Sequence, residues 1–127
     1  MQKQINAVKH FHDVFKINYS NNLRNDLGEK QNKLRFDLMK EENEEYLQAV
    51  QNKDIIEIAD ALGDMLYILC GTIIEHGLQH NIEAVFDEIH RSNMSKLGSN
   101  GEPLYRDDGK VIKGPHYTKP NLITFLK

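Results

Sequence analysis

The stretch IIEIADALGDMLYILCGTII, residues 55–74, decides the fold. It is the most apolar run in the chain, and its length suits a buried helix. Three carboxylates interrupt it: Glu57, Asp60 and Asp64. Their spacing of three and then four residues puts all three on one helical face. An unpaired carboxylate among apolar neighbours is very costly, so acids in such places are neutralised by a cation or a partner. Just upstream, the run KEENEEY places Glu41, Glu42 and Glu45 at similar spacing. Two acid stripes on consecutive helices predict a divalent metal ion between them.

Outward from this pair the chain reads as helical. A first helix is expected from about Gln2 to Ile17, with Ile5, Val8, Phe11, His12 and Phe15 on one face. An Asn-rich loop from Asn18 to Gly28 separates it from a second helix over about Lys30 to Gln51. Asn52 or Asp54 caps the third, which should end at Gly77. Asn81 can cap a fourth helix running to about Lys96, with Ile82, Val85, Phe86 and Ile89 turned inward. After Gly98 the character changes. Glycines and prolines cluster, and LYRDDGKVI flanks Asp-Gly with short apolar runs, a hairpin signal. The expected organisation is an all-α bundle of four to five helices over residues 1–97. A short, ordered, mostly non-helical arm over residues 98–127 packs on it, using Leu104, Tyr105, Val111, Ile112, Tyr117, Leu122 and Phe125.

Composition narrows the function. At 127 residues the chain fits one domain, and helical chains this small often complete their core by oligomerising. Residues 1–90 hold nine Lys/Arg against sixteen Asp/Glu, whereas residues 91–127 hold seven against three. An acidic body with a basic tail does not resemble a duplex-binding surface. It suits a metal held by the body and phosphates gripped by the tail. The acids in residues 55–74 argue against a membrane span. The N-terminus lacks the apolar core of a secretory signal, so a cytoplasmic location is expected. Cys70 is the only cysteine and lies in the apolar run, which predicts a buried, reduced thiol.

The candidate ligands are all oxygen donors, which points to Mg²⁺ or Mn²⁺ rather than zinc. Glu42 and Glu45 form an ExxE pair one turn apart, with Glu41 beside them, while Glu44 reads as solvent-exposed. Asp64 adds a donor from the next helix, with Asp60 and then Glu57 one and two turns before it. The histidines have no ligand spacing: His10 and His12 diverge on a helix, and Gly77 separates His76 from His80.

The ordered segments RFDLMKEENEEY, EIADALGDMLYILCGTIIEHG, AVFDEIHRSNMSKLG and DGKVIKGPHY together resemble the all-α nucleotide pyrophosphohydrolases. That group comprises the MazG-like proteins, the dimeric dUTPases and phosphoribosyl-ATP pyrophosphohydrolase, and the likeness spans about Val8 to Tyr117. The group's ExxE carries onto Glu42 and Glu45. Its ExxD aligns in two ways. Asp64 precedes Met65-Leu66-Tyr67, as the group's aspartate precedes a similar triplet, but its glutamate then falls on Ala61; alternatively, Glu57 and Asp60 form a literal ExxD. The preferred reading takes Asp64 as a ligand, with Asp60 standing in for the missing glutamate. The resemblance implies Mg²⁺-dependent hydrolysis of a nucleoside triphosphate between its α and β phosphates, by a homodimer or a tetramer. Glu41 or Glu42 would serve as general base. His12, Arg91, Asn93, Lys96, Lys110 and Lys113 are the expected substrate contacts. Phosphoribosyl-ATP hydrolysis and a non-catalytic, nucleotide- or metal-binding regulator are the alternatives.

Overall fold

The third helix is the axis on which the first part of the chain assembles. In the computed structural model, which describes residues 1–126, four α-helices appear: α1 (Gln2–Phe15), α2 (Glu29–Gln51), α3 (Ile55–Glu75) and α4 (Ile82–Met94). A 3₁₀ turn, Ile123–Phe125, follows near the end. Lys127, the last residue of the expected arm, lies outside the described residues. The chain divides into two compact units, Met1–His80 and Asn81–Lys127, so α4 groups with the arm.

In the first unit, α1 and α2 both pack on α3. The core is small and made by those contacts: Ile5 and Val8 from α1, Ala49 from α2, and Ala61, Cys70, Ile73 and Ile74 from α3. Cys70 is fully buried and free, and burial raises its thiol pKa, as a structural thiol requires. Asp54, not Asn52, caps α3, accepting from the Ile56 and Glu57 amides. Lys53 turns the chain with a left-handed φ of 54°, so α2 and α3 form a hairpin joined by a three-residue link. At the other end of α3, Gly77 has φ 73°, and a Cβ there would strike the Asn22 carbonyl. The Asn18–Gly28 loop is stitched to that end. Ser20 N–H donates to the Ile74 carbonyl at 3.1 Å and Arg24 N–H to the His76 carbonyl at 2.9 Å, while the His76 ring donates to the Arg24 carbonyl at 2.7 Å.

Two expectations about apolar faces are corrected. On α1, Phe15 ends the helix 62% exposed, stacked on Phe11 at 4.4 Å rather than buried in the core. On α4, Phe86 is 68% exposed and Ile89 is also open to solvent.

In the second unit, residues 81–126 close on themselves through polar clasps. The Asp-Gly turn forms as expected: Arg106 N–H donates to the Lys110 carbonyl at 2.8 Å and Ile112 N–H to the Leu104 carbonyl at 2.9 Å, around one antiparallel bridge, Tyr105–Val111. Tyr105 and Val111 remain exposed, so this turn rests on backbone pairing and the Arg106–Asp108 ion pair rather than on apolar burial. Asn81 anchors the 3₁₀ turn by donating from Nδ2 to the Phe125 carbonyl at 2.5 Å.

Candidate active site

Glu42 is the focus of the acid cluster. It sits two-thirds of the way along α2, and its Oε2 is buried without a hydrogen-bond partner. Desolvation, a hydrogen bond with Glu45, and the charges of Glu45, Asp64 and Glu41 push its pKa up to about 7. Four carboxylates from two helices are therefore gathered around one orphaned oxygen. Among the described residues no three His, Cys, Asp or Glu side chains stand at ion-coordinating spacing, so the acids are gathered without being closed into a ligand shell. The donor set suits a hard divalent cation all the same. A cation would neutralise charges that now oppose one another, and it would give Glu42 Oε2 the partner it lacks.

The other acids of the stripe are placed differently. Asp60 and Glu57 lie on exposed positions of α3, one and two turns before Asp64, and neither is among the charges acting on Glu42. Glu44 is exposed as expected and faces Lys40 at 4.0 Å. Ala61, where the family pattern would carry a glutamate, is buried.

One turn along each helix from these acids, α1, α2 and α3 enclose an apolar pocket of about 400 Å³. Leu38 stands four residues before Glu42, and Ile68 four residues after Asp64, so the pocket begins about one turn, roughly 6 Å, along each helix from the acids. Phe11, Leu34, Leu38 and Tyr67 form the walls. Phe11 meets Tyr67 edge-on at 5.6 Å and stacks on Phe15 at 4.4 Å. An aromatic-lined slot of this size takes a flat ring.

A buried polar network supports this pocket. Glu75 is 3% exposed, and three side chains engage it, Arg35 as the counter-charge. Arg35 Nη1 lies 2.9 Å from Oε2, Gln31 Nε2 donates to Oε1 at 2.6 Å, and His12 Nε2 lies 3.3 Å from Oε2. Arg35 also donates to Thr72 Oγ1 at 3.0 Å and to the Ile68 carbonyl at 2.7 Å. Burial lowers the Arg35 pKa and Glu75 opposes that effect, as in a compensated buried pair. Gly71 makes room for the network: a Cβ there would lie 2.6 Å from Arg35 Nη2 and 3.2 Å from His12 Cε1.

His12 thus lines the pocket, but with its polar atoms engaged. Its Nδ1 donates to the Val8 carbonyl at 3.0 Å and its Nε2 faces Glu75, so it offers a substrate only ring carbon. Arg91, Asn93, Lys96, Lys110 and Lys113 belong to the second unit. Arg91 is committed within it. Nε and Nη2 fork onto Glu88 at 2.9 and 2.8 Å, and Nη1 donates to Thr118 at 2.8 Å. That fork lowers the Glu88 pKa to about 2 and makes Arg91 a clasp for the arm. Lys113 lies over the Tyr117 ring at 4.7 Å, the Lys96 carbonyl accepts from Gly114 N–H at 2.7 Å, and Asn93 and Lys110 are exposed.

The residues missed from sequence are Gln31, Arg35 and Glu75, with the pocket walls Phe11, Leu34, Leu38 and Tyr67. One signal for the first group was present. Glu75 closes the apolar run eleven residues after Asp64, on nearly the same helical face, and Arg35 interrupts an apolar stripe on the helix before it.

Comparison with known proteins gives a family for the chain. A family model described as phosphoribosyl-ATP pyrophosphohydrolase matches residues 8–93. An uncharacterized protein, L479 of Acanthamoeba polyphaga mimivirus, is 35% identical over 68 residues, which are 54% of this chain and 27% of that protein. The chain thus spans about a quarter of the length of that relative. No described helix is long and apolar enough to cross a membrane. With four helices, a paired acid motif and a family match over most of its length, the chain belongs to the phosphoribosyl-ATP pyrophosphohydrolase family of MazG-like nucleotide pyrophosphohydrolases.

Proposed function

We propose that the first unit hydrolyses a nucleoside triphosphate between its α and β phosphates, releasing the monophosphate and pyrophosphate. The observation that carries this reading is the orphaned Glu42 Oε2 amid Glu41, Glu45 and Asp64, one turn from an aromatic pocket. The base lies in the pocket and the phosphates lie over the acids. Glu42, Glu45 and Asp64 are the side chains that would hold Mg²⁺ or Mn²⁺, with Asp60 a further donor from one turn back. Such an ion supplies charge neutralisation for the triphosphate and acidity for a bound water.

The chain's own residues supply the rest. Phe11 and Tyr67 orient the ring and exclude water from it. Glu41 or Glu42 accepts the proton of the attacking water. The water oxygen bonds to the α phosphorus, the α–β bridging bond breaks, and pyrophosphate departs. The test is pyrophosphate release from a panel of nucleoside triphosphates and phosphoribosyl-ATP with Mg²⁺. Release that Glu42→Gln and Asp64→Asn abolish is expected; absence of release from every nucleotide would overturn the proposal. Phosphoribosyl-ATP stands in the panel because the family model carries that description.

We also propose a second copy as the cover for α3. Ile55, Ala59, Leu62, Leu66 and Leu69 repeat at alternating four- and three-residue steps, the spacing of a helix-pairing seam, and all five are exposed. Light scattering should find a dimer that Leu66→Glu weakens, and a wild-type monomer would refute it.

A further inference from the structure

We infer that a second cavity of the first unit, the one lined by Lys16 and Arg24, binds a phosphate group away from the acid cluster. The inference goes beyond hydrolysis and does not depend on it. The cavity holds about 330 Å³, and its polar lining is Lys16, Asn18, Arg24, Gln31 and Glu75. It forms where the end of α1, the Asn18–Gly28 loop, the first turn of α2 and the last turn of α3 meet. Glu75 stands eleven residues after Asp64, so the cavity lies roughly 16 Å along α3 from the acids.

Charge decides what the cavity takes. Glu75 is the single acid of the lining, and Arg35, outside the lining, opposes its charge at 2.9 Å. Lys16 and Arg24 remain. Among the described residues, neither the Lys16 ammonium nor the Arg24 guanidinium has a hydrogen bond or an ion pair. The nearest acid on the loop, Asp26, accepts instead from Gly28 N–H at 2.8 Å and Asn32 Nδ2 at 2.7 Å, and these bonds lower its pKa more than the Arg24 charge does. Residues 1–90 hold an excess of acids, so two uncommitted cations at one cavity mark a place for an anion. Both stand on fixed backbone. Arg24 N–H donates to the His76 carbonyl and the Arg24 carbonyl accepts from the His76 ring. Lys16 holds a left-handed φ of 58°, which suits glycine or asparagine better than lysine. Two cations call for a dianion, which a phosphate group largely is at neutral pH and a carboxylate is not. Its oxygens can meet the ammonium, the guanidinium and the Asn18 amide together. Ile17 and Gln31 line this cavity and the apolar pocket alike, so the phosphate can be free or carried by a ligand whose ring fills that pocket.

Amide NMR of the whole chain, in chelator at constant ionic strength and neutral pH, tests this without metal or turnover. Inorganic phosphate should shift the Lys16, Asn18 and Arg24 amides saturably. Lys16→Gly, which suits the backbone there, and Arg24→Gln should each weaken binding on the order of tenfold. Lys3→Gln removes an exposed α1 charge outside the lining and should leave binding unchanged. Adenosine monophosphate against adenosine separates the two sources. A carried phosphate makes the monophosphate the tighter ligand and moves the Tyr67 amide as well. Saturable binding of inorganic phosphate, with the two nucleosides equal, assigns the cavity to a free anion; a monophosphate advantage without binding of inorganic phosphate assigns it to a carried one. Either result sustains the inference when Lys16→Gly and Arg24→Gln both weaken it. No binding of inorganic phosphate together with equal binding of the two nucleosides would overturn it, and so would affinities that the two variants leave unchanged, whatever the protein does to triphosphates.

Discussion

Replacing Glu42 by glutamine should change how the stability of the first unit responds to pH. The amide keeps the size of the side chain and removes its charge. In the folded wild type the carboxyl titrates near 7, against an ordinary value of 4.5. Between those values the folded chain holds a proton that the unfolded chain has released. Stability therefore falls as pH rises through that window: the favourable contribution is complete below about 4.5 and gone above about 7. In a dry site the whole rise would be worth about 3 kcal/mol. Glu42 is only half-buried and its acid neighbours are exposed, and screening leaves on the order of 1 kcal/mol. Glu42→Gln has no such term. The variant should match the wild type near pH 5 and exceed it by about 1 kcal/mol at pH 8, a shift of a few degrees in Tm. Thermal melts of both proteins at pH 5, 6.5 and 8, in chelator, read the difference directly, because every other titrating group is common to the two. Mg²⁺ should then stabilise the wild type strongly at pH 8 and weakly at pH 5, where protons compete for the same oxygens. Parallel pH profiles for the two proteins would refute the account of Glu42, and a metal-induced shift of equal size at both pH values would refute the account of the site.

The remaining predictions address the supports of the site. Asp64→Asn should remain folded yet lose most of the Mg²⁺-dependent rise in Tm, which at a hundredfold excess over Kd is worth roughly 2.7 kcal/mol in the wild type. Glu75→Ala leaves Arg35 and His12 buried without their partner, and chemical denaturation should show a loss of about 3–5 kcal/mol; removing Asp37 from its exposed pair with Lys33 should cost under about 1 kcal/mol. Gly71→Ala should displace the Arg35 guanidinium, cost about 1–3 kcal/mol and weaken nucleoside binding, because the added methyl meets Nη2 at 2.6 Å. Arg91→Ala should speed amide exchange around Thr118 and return the Glu88 carboxyl from about 2 toward its ordinary range, as followed by NMR titration.

The helices of the first unit were legible because their signals are local. An acid cap at Asp54, glycine at 28 and 77, and a long apolar run each act within a turn or two of the residue concerned. The paired acids were legible for the same reason: spacing alone puts Glu42 and Glu45 on one face. Their distribution across the two helices was not. Spacing put Glu57, Asp60 and Asp64 on one stripe, but the packing of α3 on α2 decides which of them meets Glu42, and it brings Asp64. The inward turn expected for Phe86 failed on the same point. A helical stripe says which residues share a face, and tertiary packing decides whether anything covers that face.

The pocket lies at the far end of this gradient. Its walls come from three helices, and three of its polar lining residues, Arg35, Gln31 and His12, meet at a carboxylate 40, 44 and 63 residues away in sequence. No window along the chain contains that pattern, and each member has an ordinary reading on its own: Gln31 as a surface amide, Arg35 as a solvated cation, Glu75 as the end of a helix. What makes them a unit is desolvation. Glu75 at 3% exposure cannot stand without its three donors, and those donors, once committed, fix the ring of His12, the guanidinium of Arg35 and the amide of Gln31 in the pocket wall. The two acid groups of the unit therefore solve one electrostatic problem in opposite ways. Glu75 is neutralised from within and becomes scaffold, whereas Glu42, with like charges around it and an oxygen left bare, is left for a cation and a substrate to complete.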